Sequence, residues 1–134
     1  MPELILIVDD NPTNLKLASE VLEFEGFKVL RAVDAEGAQL LLAQSTPDLI
    51  LLDIALPGMD GLTLTRKLKS NSQFRHVPII ALTAFAMKGD DQRAFAAGCD
   101  GYITKPIDTR ELPRRVRNLL QAATHKEETR LTPE

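Results

Sequence analysis

Five residues with reactive side chains stand at the ends of short predicted strands: Asp9, Asp10, Asp53, Thr83 and Lys105. The runs before the acids and the threonine are almost wholly apolar, which is typical of strands buried on both faces. Parallel strands of an open α/β sheet end at one edge, where ligand sites form. Three carboxylates there repel and raise each other's pKa unless a cation joins them. Because Mg²⁺ suits oxygen-rich acidic sites, the pattern predicts a magnesium site.

A lysine and a hydroxyl beside such acids indicate phosphoryl chemistry. Lys105 would supply a compact positive charge and Thr83 a donor. An aspartate can accept a phosphoryl group covalently, and the cations would neutralise its oxygens. Each residue alone has an ordinary explanation: Asp9–Asp10 as a polar helix cap, Thr83 as a strand-end hydroxyl, Lys105 as a solvated lysine. Their coincidence at several strand ends favours a joint site.

The elements that would position these residues alternate strand and helix five times. This alternation predicts a doubly wound, five-stranded parallel sheet with five helices and right-handed crossovers. Asn11-Pro12 and Asp34 are expected to open the first two helices. A weaker fourth helix is predicted from about Lys88 to Ala97. Pro113 conflicts with a last helix that begins at Asp108, so that helix should begin later or irregularly.

Length and composition bound the remaining possibilities. The chain has 134 residues, which predicts one domain, and a net charge of −3, which argues against direct binding of nucleic acid. The lone cysteine, Cys99, suits a reducing compartment. Neither a signal peptide nor a membrane span is recognisable, so we expect a cytoplasmic protein. Residues 1–123 should form the domain, and 124–134 a polar, frayed C-terminal tail.

Four sequence pieces together resemble the receiver domain of two-component response regulators, over about residues 4–121. They are Val8-Asp9-Asp10-Asn11, Asp53 to Gly61, Leu82-Thr83-Ala84 and Gly101 to Pro106. The resemblance implies the flavodoxin-like receiver topology and a stand-alone, single-domain response regulator. It implies that Asp53 accepts a phosphoryl group from a histidine of a sensor kinase or of a histidine-phosphotransfer protein. Asp10, Asp53 and the backbone carbonyl of Ala55 would hold Mg²⁺, with Asp9 acting through water.

The resemblance also implies a switch. Thr83 and Lys105 would each meet a phosphoryl oxygen, and Tyr102 would turn inward as Thr83 moves. The alternative for Tyr102 is a half-buried strand tyrosine. The bond from Lys105 to Pro106 would be cis, as X–Pro bonds can be. The surface of helix 4, strand 5 and helix 5 would then change shape and meet a downstream protein partner.

Several alternatives remain open at this point. The protein could relay the phosphoryl group to another histidine or bind a partner as an adaptor. A phosphorylation-independent pseudo-receiver would keep the fold as a binding module. An aspartyl-phosphate hydrolase of the haloacid dehalogenase type also uses Mg²⁺ and aspartate, but it carries a first-strand Asp-x-Asp motif, whereas Asp9 and Asp10 are adjacent here.

Two further features carry hypotheses. Ala55 and the bulky Phe85 offer no polar side chain near the acceptor, which predicts a long-lived phosphorylated state. The last helix carries four arginines, either as a solvated face or as a docking surface for an acidic partner or a second copy of the chain. They are Arg110, Arg114, Arg115 and Arg117. The second-copy reading predicts a phosphorylation-dependent homodimer through the last helix.

Overall fold

The computed structural model describes residues 2–56, 58–83 and 89–131, without the side chains of residues 90, 91 and 124–131. Five strands alternate with five helices. The strands are β1 (Leu4–Val8), β2 (Lys28–Ala32), β3 (Leu49–Asp53), β4 (Ile79–Thr83) and β5 (Gly101–Thr104). The helices are α1 (Pro12–Phe24), α2 (Ala35–Leu42), α3 (Gly61–Lys69), α4 (Asp90–Ala97) and α5 (Glu111–Leu131).

All strand pairs are parallel, in the order β2-β1-β3-β4-β5. The predicted doubly wound, flavodoxin-like fold is therefore confirmed. The two most apolar strands, β1 and β3, lie side by side inside the sheet, while the more polar β2 lies at an edge. This order brings the ends of β1, β3 and β4 together in the middle of the carboxyl edge.

Alternate strand residues point into two separate cores, one on each face of the sheet. In β3, Ile50 and Leu52 pack with residues of α2, α3 and α4, while Leu49 and Leu51 pack with residues of α1 and α5. Both faces of β3 are thus covered, as its unbroken apolar run predicted. A carboxylate at the end of this strand consequently lies close to the protein interior.

Side-chain caps set where three helices begin. Asn11 accepts hydrogen bonds from the N–H groups of Thr13 and Asn14 at the start of α1. Asp34 caps α2, and Asp60 caps α3 through Thr63 N–H. Each cap satisfies backbone donors that the first helical turn leaves unpaired. All three helices begin at the carboxyl edge of the sheet, beside the predicted site.

The last two helices differ in detail from expectation. α4 begins at Asp90, and the expected start at Lys88 lies outside the described residues. α5 begins at Glu111, which places Pro113 in the first turn, where its missing N–H breaks no intrahelical bond. The backbone of α5 continues to Leu131, past residue 124 where the polar tail was expected to begin. The domain boundary and the fraying of the tail remain predictions.

A polar junction ties the far end of α3 to the sheet. Lys69 Nζ donates to the carbonyls of Val77 and Arg75 and forms a 2.9 Å ion pair with Asp100. Asp100 also accepts the N–H of Ile79 at the start of β4. The junction therefore fixes α3, β4 and the segment before β5 to one another. Within the part of the chain that the structure describes, no helix is long and apolar enough to cross a membrane.

Candidate phosphoryl and metal site

The sheet brings the predicted acids together at its carboxyl edge. Asp9 and Asp10 follow β1, and Asp53 is the last residue of β3. One carboxylate oxygen from each lies within 4.8 Å of the others. Asp9 and Asp53 are buried, whereas Asp10 is exposed. The exposed third acid leaves one side of the cluster open to solvent and to a ligand.

Lys105 bridges the two buried carboxylates. Its Nζ donates to Asp53 Oδ2 at 2.8 Å and lies 2.9 Å from Asp9 Oδ2. The side chains of Lys105, Asp53 and Asp9 are only 10%, 5% and 1% exposed. The three charges are therefore held in a low-dielectric environment, where their mutual interactions are strong.

Burial and charge shift the proton affinities of this cluster in a consistent way. Burial raises the pKa of the Asp9 carboxyl above its ordinary value, although the Lys105 ammonium and the N–H of Asn11 oppose the rise. Burial alone would lower the pKa of Lys105, but the hydrogen bond to Asp53 and the attraction of both carboxylates, Asp53 and Asp9, outweigh it and raise that pKa. Lys105 is thus held as a cation, while ionised Asp9 is the costly member.

Backbone amides orient the remaining carboxylate oxygens. Asn11 N–H donates to Asp9 Oδ1, and Ala55 N–H donates to Asp53 Oδ1, both at 2.9 Å. Each buried carboxylate thus meets an amide two residues further along and the ammonium of Lys105. These contacts fix the rotamers of both side chains before any ligand arrives.

The donor set fits a divalent cation. One lysine against three carboxylates leaves excess negative charge when all are ionised. Asp9 Oδ2 lies 2.9 Å from the Lys105 ammonium, but this buried oxygen accepts no hydrogen bond from the described residues. A buried carboxylate oxygen that accepts no hydrogen bond, beside two further carboxylates, suits the small, hard Mg²⁺ ion. The sequence-predicted cluster is therefore consistent with a divalent metal site.

The other predicted residues lie around this cluster. Thr83, the last residue of β4, is buried, and its carbonyl accepts the N–H of Lys105 at 2.7 Å. Tyr102 is half-buried and packs against the core on the α2–α4 face. Ala55 is exposed in the loop after β3, and the Lys105–Pro106 bond is cis. Phe85 lies outside the described residues.

The comparisons with known proteins decide the family. The response regulator receiver domain family matches residues 5–117. The chain belongs to this family. The polar-differentiation response regulator DivK of Brucella anthropi is 42% identical over 120 residues, which are 90% of this chain and 98% of that protein.

Solved receivers share the fold as well. A putative response regulator from Chloroflexus aurantiacus has a TM-score of 0.87 at 35% identity, over 90% of this chain and 99% of its own. A CheY-like receiver domain protein from Methanospirillum hungatei has a TM-score of 0.87 at 30% identity, over 94% and 99%. The chain is therefore a signalling phosphoacceptor domain of two-component systems, not a conventional enzyme, and the hydrolase alternative is set aside.

The structure places Arg110 just before α5, so three of the four predicted arginines lie on this part of the helix, and two of these three make contacts within the domain that sequence reasoning missed. Arg117 pairs with Glu25 at 2.9 Å and lies 5.5 Å from the ring centre of Phe27. Arg115 pairs with Glu111 and donates to the carbonyl of Tyr102 at 2.7 Å. The Glu111–Arg115 spacing of four residues was a readable helical signal, whereas the other contacts depend on how α5 packs.

Proposed function

We propose that Asp53 accepts a phosphoryl group from a histidine of a sensor kinase or histidine-phosphotransfer protein, in a Mg²⁺-dependent reaction. The observation that carries the proposal is the placement of Asp53. It ends a central strand of a receiver domain, within reach of two further carboxylates and 2.8 Å from Lys105. The carboxylates and the lysine that the proposal requires therefore lie beside Asp53, its nucleophile.

The reaction requires only one bond exchange. A carboxylate oxygen of Asp53 forms a P–O bond as the P–N bond to the donor imidazole breaks, and the leaving imidazole takes up a proton from solvent. When bound, Mg²⁺ would neutralise charge on the transferring oxygens, held by Asp10, Asp53 and the carbonyl of Ala55, with Asp9 acting through water. Lys105 supplies the second positive charge and needs little reorganisation, since it already contacts Asp53.

A phosphoryl group at Asp53 would then bias the neighbouring elements. It adds charge and acceptor oxygens that attract Lys105 and the Thr83 hydroxyl. The backbone of Lys105 is joined to Thr83, so strands β4 and β5 would respond together. With Tyr102 as the third member of this switch, the surface formed by α4, β5 and α5 would change and signal to a protein partner.

The kind of partner follows from the family and the charge. A histidine phosphodonor is implied by membership of the receiver family. The net charge of −3 favours a protein rather than nucleic acid as the downstream partner. We retain a phosphorylation-dependent homodimer through α5 as a narrower proposal, in which the exposed Arg114 of α5 and Arg110 just before the helix meet the second copy. A cytoplasmic location would suit all of these partners.

Intact-protein mass spectrometry tests the proposal. After incubation with acetyl phosphate and MgCl₂, we expect one phosphoryl adduct that is absent with EDTA and absent from Asp53→Asn. Asp34→Asn is the matched control, because Asp34 caps α2 at the same sheet edge and asparagine caps equally well. Asp34→Asn should keep the adduct.

The alternative, a phosphorylation-independent pseudo-receiver, makes the opposite prediction. No adduct would form with acetyl phosphate or with a phosphorylated histidine-phosphotransfer domain, although the folded protein would still bind a partner. If the adduct forms, a second experiment distinguishes the relay role from the adaptor role. A relay returns the phosphoryl group to an added histidine-phosphotransfer protein, whereas an adaptor retains it and binds its partner.

A further inference from the structure

Gly61 joins the start of α3 to the end of β3. It is the first residue of the helix and is buried, and its N–H donates to the carbonyl of Ile54 at 3.1 Å. This bond closes the loop between β3 and α3. The same loop carries Ala55, whose N–H orients Asp53.

The closure depends on the missing side chain of Gly61. A Cβ atom built there would overlap the carbonyl oxygen of Asp53 and lie 2.6 Å from Ile54 Cα, both of them backbone atoms. All seven glycines of the chain lie among the described residues, and a Cβ at any of the others meets side chains only or open space. Since φ of Gly61 is not positive, close approach and not conformation requires glycine here.

The strand cannot give way to relieve such an overlap. β3 is paired with β1 on one side and β4 on the other, and all five of its residues are buried. A side chain at position 61 would therefore displace the start of α3 and open the loop. Ala55 would move with the loop, and both its N–H contact with Asp53 and its carbonyl position would change.

We propose that Gly61 is a positioning residue that holds the β3–α3 loop closed, so that Ala55 and Asp53 present a preformed metal site. This inference rests on the proposed function, because it concerns the Mg²⁺ that the phosphorylation requires. Residues that orient metal ligands without touching the metal change affinity by about 10–100-fold when substituted. We expect a change within that range for Gly61.

Amide NMR titration with MgCl₂ tests the proposal, with the shifts of Asn11 and Ala55 as reporters of the site. Gly61→Ala should raise the Kd for Mg²⁺ by about tenfold or more. It should also slow phosphorylation by acetyl phosphate at a fixed, subsaturating Mg²⁺ concentration. Gly37→Ala, at the first turn of α2, is the matched control. A Cβ there lies 3.1 Å from Asp34 Oδ1 and 3.7 Å from Ala32 Cβ, so it meets side-chain atoms and no backbone. Its Kd should equal that of the wild type.

A second control separates positioning from stability. Leu68→Ala removes a buried side chain at the far end of α3, so it should lower the unfolding midpoint without changing the Kd of the folded protein. If Gly61→Ala lowers the midpoint but keeps the wild-type Kd, Gly61 serves stability alone and the proposal is wrong.

A loop insertion covers the case in which Gly61→Ala does not fold. One glycine inserted after Gly58 lengthens the loop without any overlap, and it should also raise the Kd; an unchanged Kd would overturn the proposal. Failure of the wild type to bind Mg²⁺ would instead refute the proposed function.

Discussion

Replacing Lys105 by methionine tests the electrostatic description of the site. The substitution keeps an unbranched, largely buried side chain but removes the ammonium group that, among the described residues, contacts both Asp9 and Asp53. Breaking a buried ion pair by removing one partner costs about 3–5 kcal/mol, because the other charge is left uncompensated. Each carboxylate still accepts one backbone N–H, so we expect a loss near the lower end, about 3 kcal/mol at pH 7.5 in EDTA.

The loss should depend on pH in a defined direction. Burial already raises the pKa of Asp9, and removal of Lys105 would raise it further. Between the unfolded-state pKa, about 3.9, and the higher folded-state pKa, the folded protein binds the extra proton. Stability therefore rises as pH falls through this window, by about 1.4 kcal/mol per pH unit for one proton. The deficit of Lys105→Met should shrink accordingly in acid.

The contribution of Lys105 to stability also depends on pH in the alkaline range. The pKa of Lys105 is raised in the folded wild type, so its contribution to stability is full below the unfolded-state value of about 10.4. That contribution is lost as pH rises through the folded-state pKa. The wild type should therefore approach the variant in strong alkali.

Urea unfolding followed by circular dichroism measures the acid-side difference between pH 5 and 8 and the alkaline convergence above about pH 10. Lys67→Met is the matched control, because Lys67 is exposed on α3 and should change stability by about 0.5 kcal/mol or less at any pH. A deficit of Lys105→Met below about 1 kcal/mol, or one that does not vary with pH, would refute the reasoning.

Three further predictions concern single side chains. Asp9→Asn should stabilise the protein in EDTA at neutral pH, because burial penalises ionised Asp9. The gain in the urea midpoint of unfolding should vanish as pH falls and the Asp9 carboxylate of the wild type is protonated. A variant less stable than the wild type at pH 7.5 would contradict this. Ala55→Asn should hasten hydrolysis of the phosphorylated protein by about tenfold, since an amide there can orient the attacking water. Slower loss of the phosphoryl adduct, followed by intact-protein mass spectrometry, would refute the prediction that the phosphorylated wild type is long-lived. Lys69→Met should lower the free energy of unfolding in urea by about 2 kcal/mol, because the charged hydrogen bonds of Lys69 to Val77 and Asp100 are lost. An effect as small as that of Lys67→Met would show that solvent replaces these hydrogen bonds.

The sequence was most informative about the strands and their ends. Unbroken apolar runs at β1 and β3 indicated burial on both faces, and a parallel sheet necessarily collects the residues after such strands at one edge. Asp9, Asp10 and Asp53 were therefore predicted to meet, and the structure places their carboxylates together. Side-chain chemistry and strand order together were sufficient for this part of the site.

Contacts between distant helices were beyond such reasoning. The Arg117–Glu25 and Lys69–Asp100 ion pairs depend on how the helices pack, and no local sequence pattern encodes those packing angles. The role of Gly61 was missed for a related reason. In the sequence it belongs to an Asp-Gly turn signal, whereas its close approach to Asp53 emerges only when α3 is docked on the sheet.

The geometry of Lys105 explains why a charge change at Asp53 need not stay local. Before phosphorylation, one ammonium group is shared by two buried carboxylates, so neither is fully neutralised. On the proposed function, new phosphoryl oxygens compete for Lys105, and any shift toward them withdraws it from Asp9. Because the Lys105 N–H donates to the Thr83 carbonyl, that shift would be transmitted to the end of β4. The carbonyl of Tyr102, on β5 three residues before Lys105, accepts a hydrogen bond from Arg115, so the response would reach α5 through contacts that already exist.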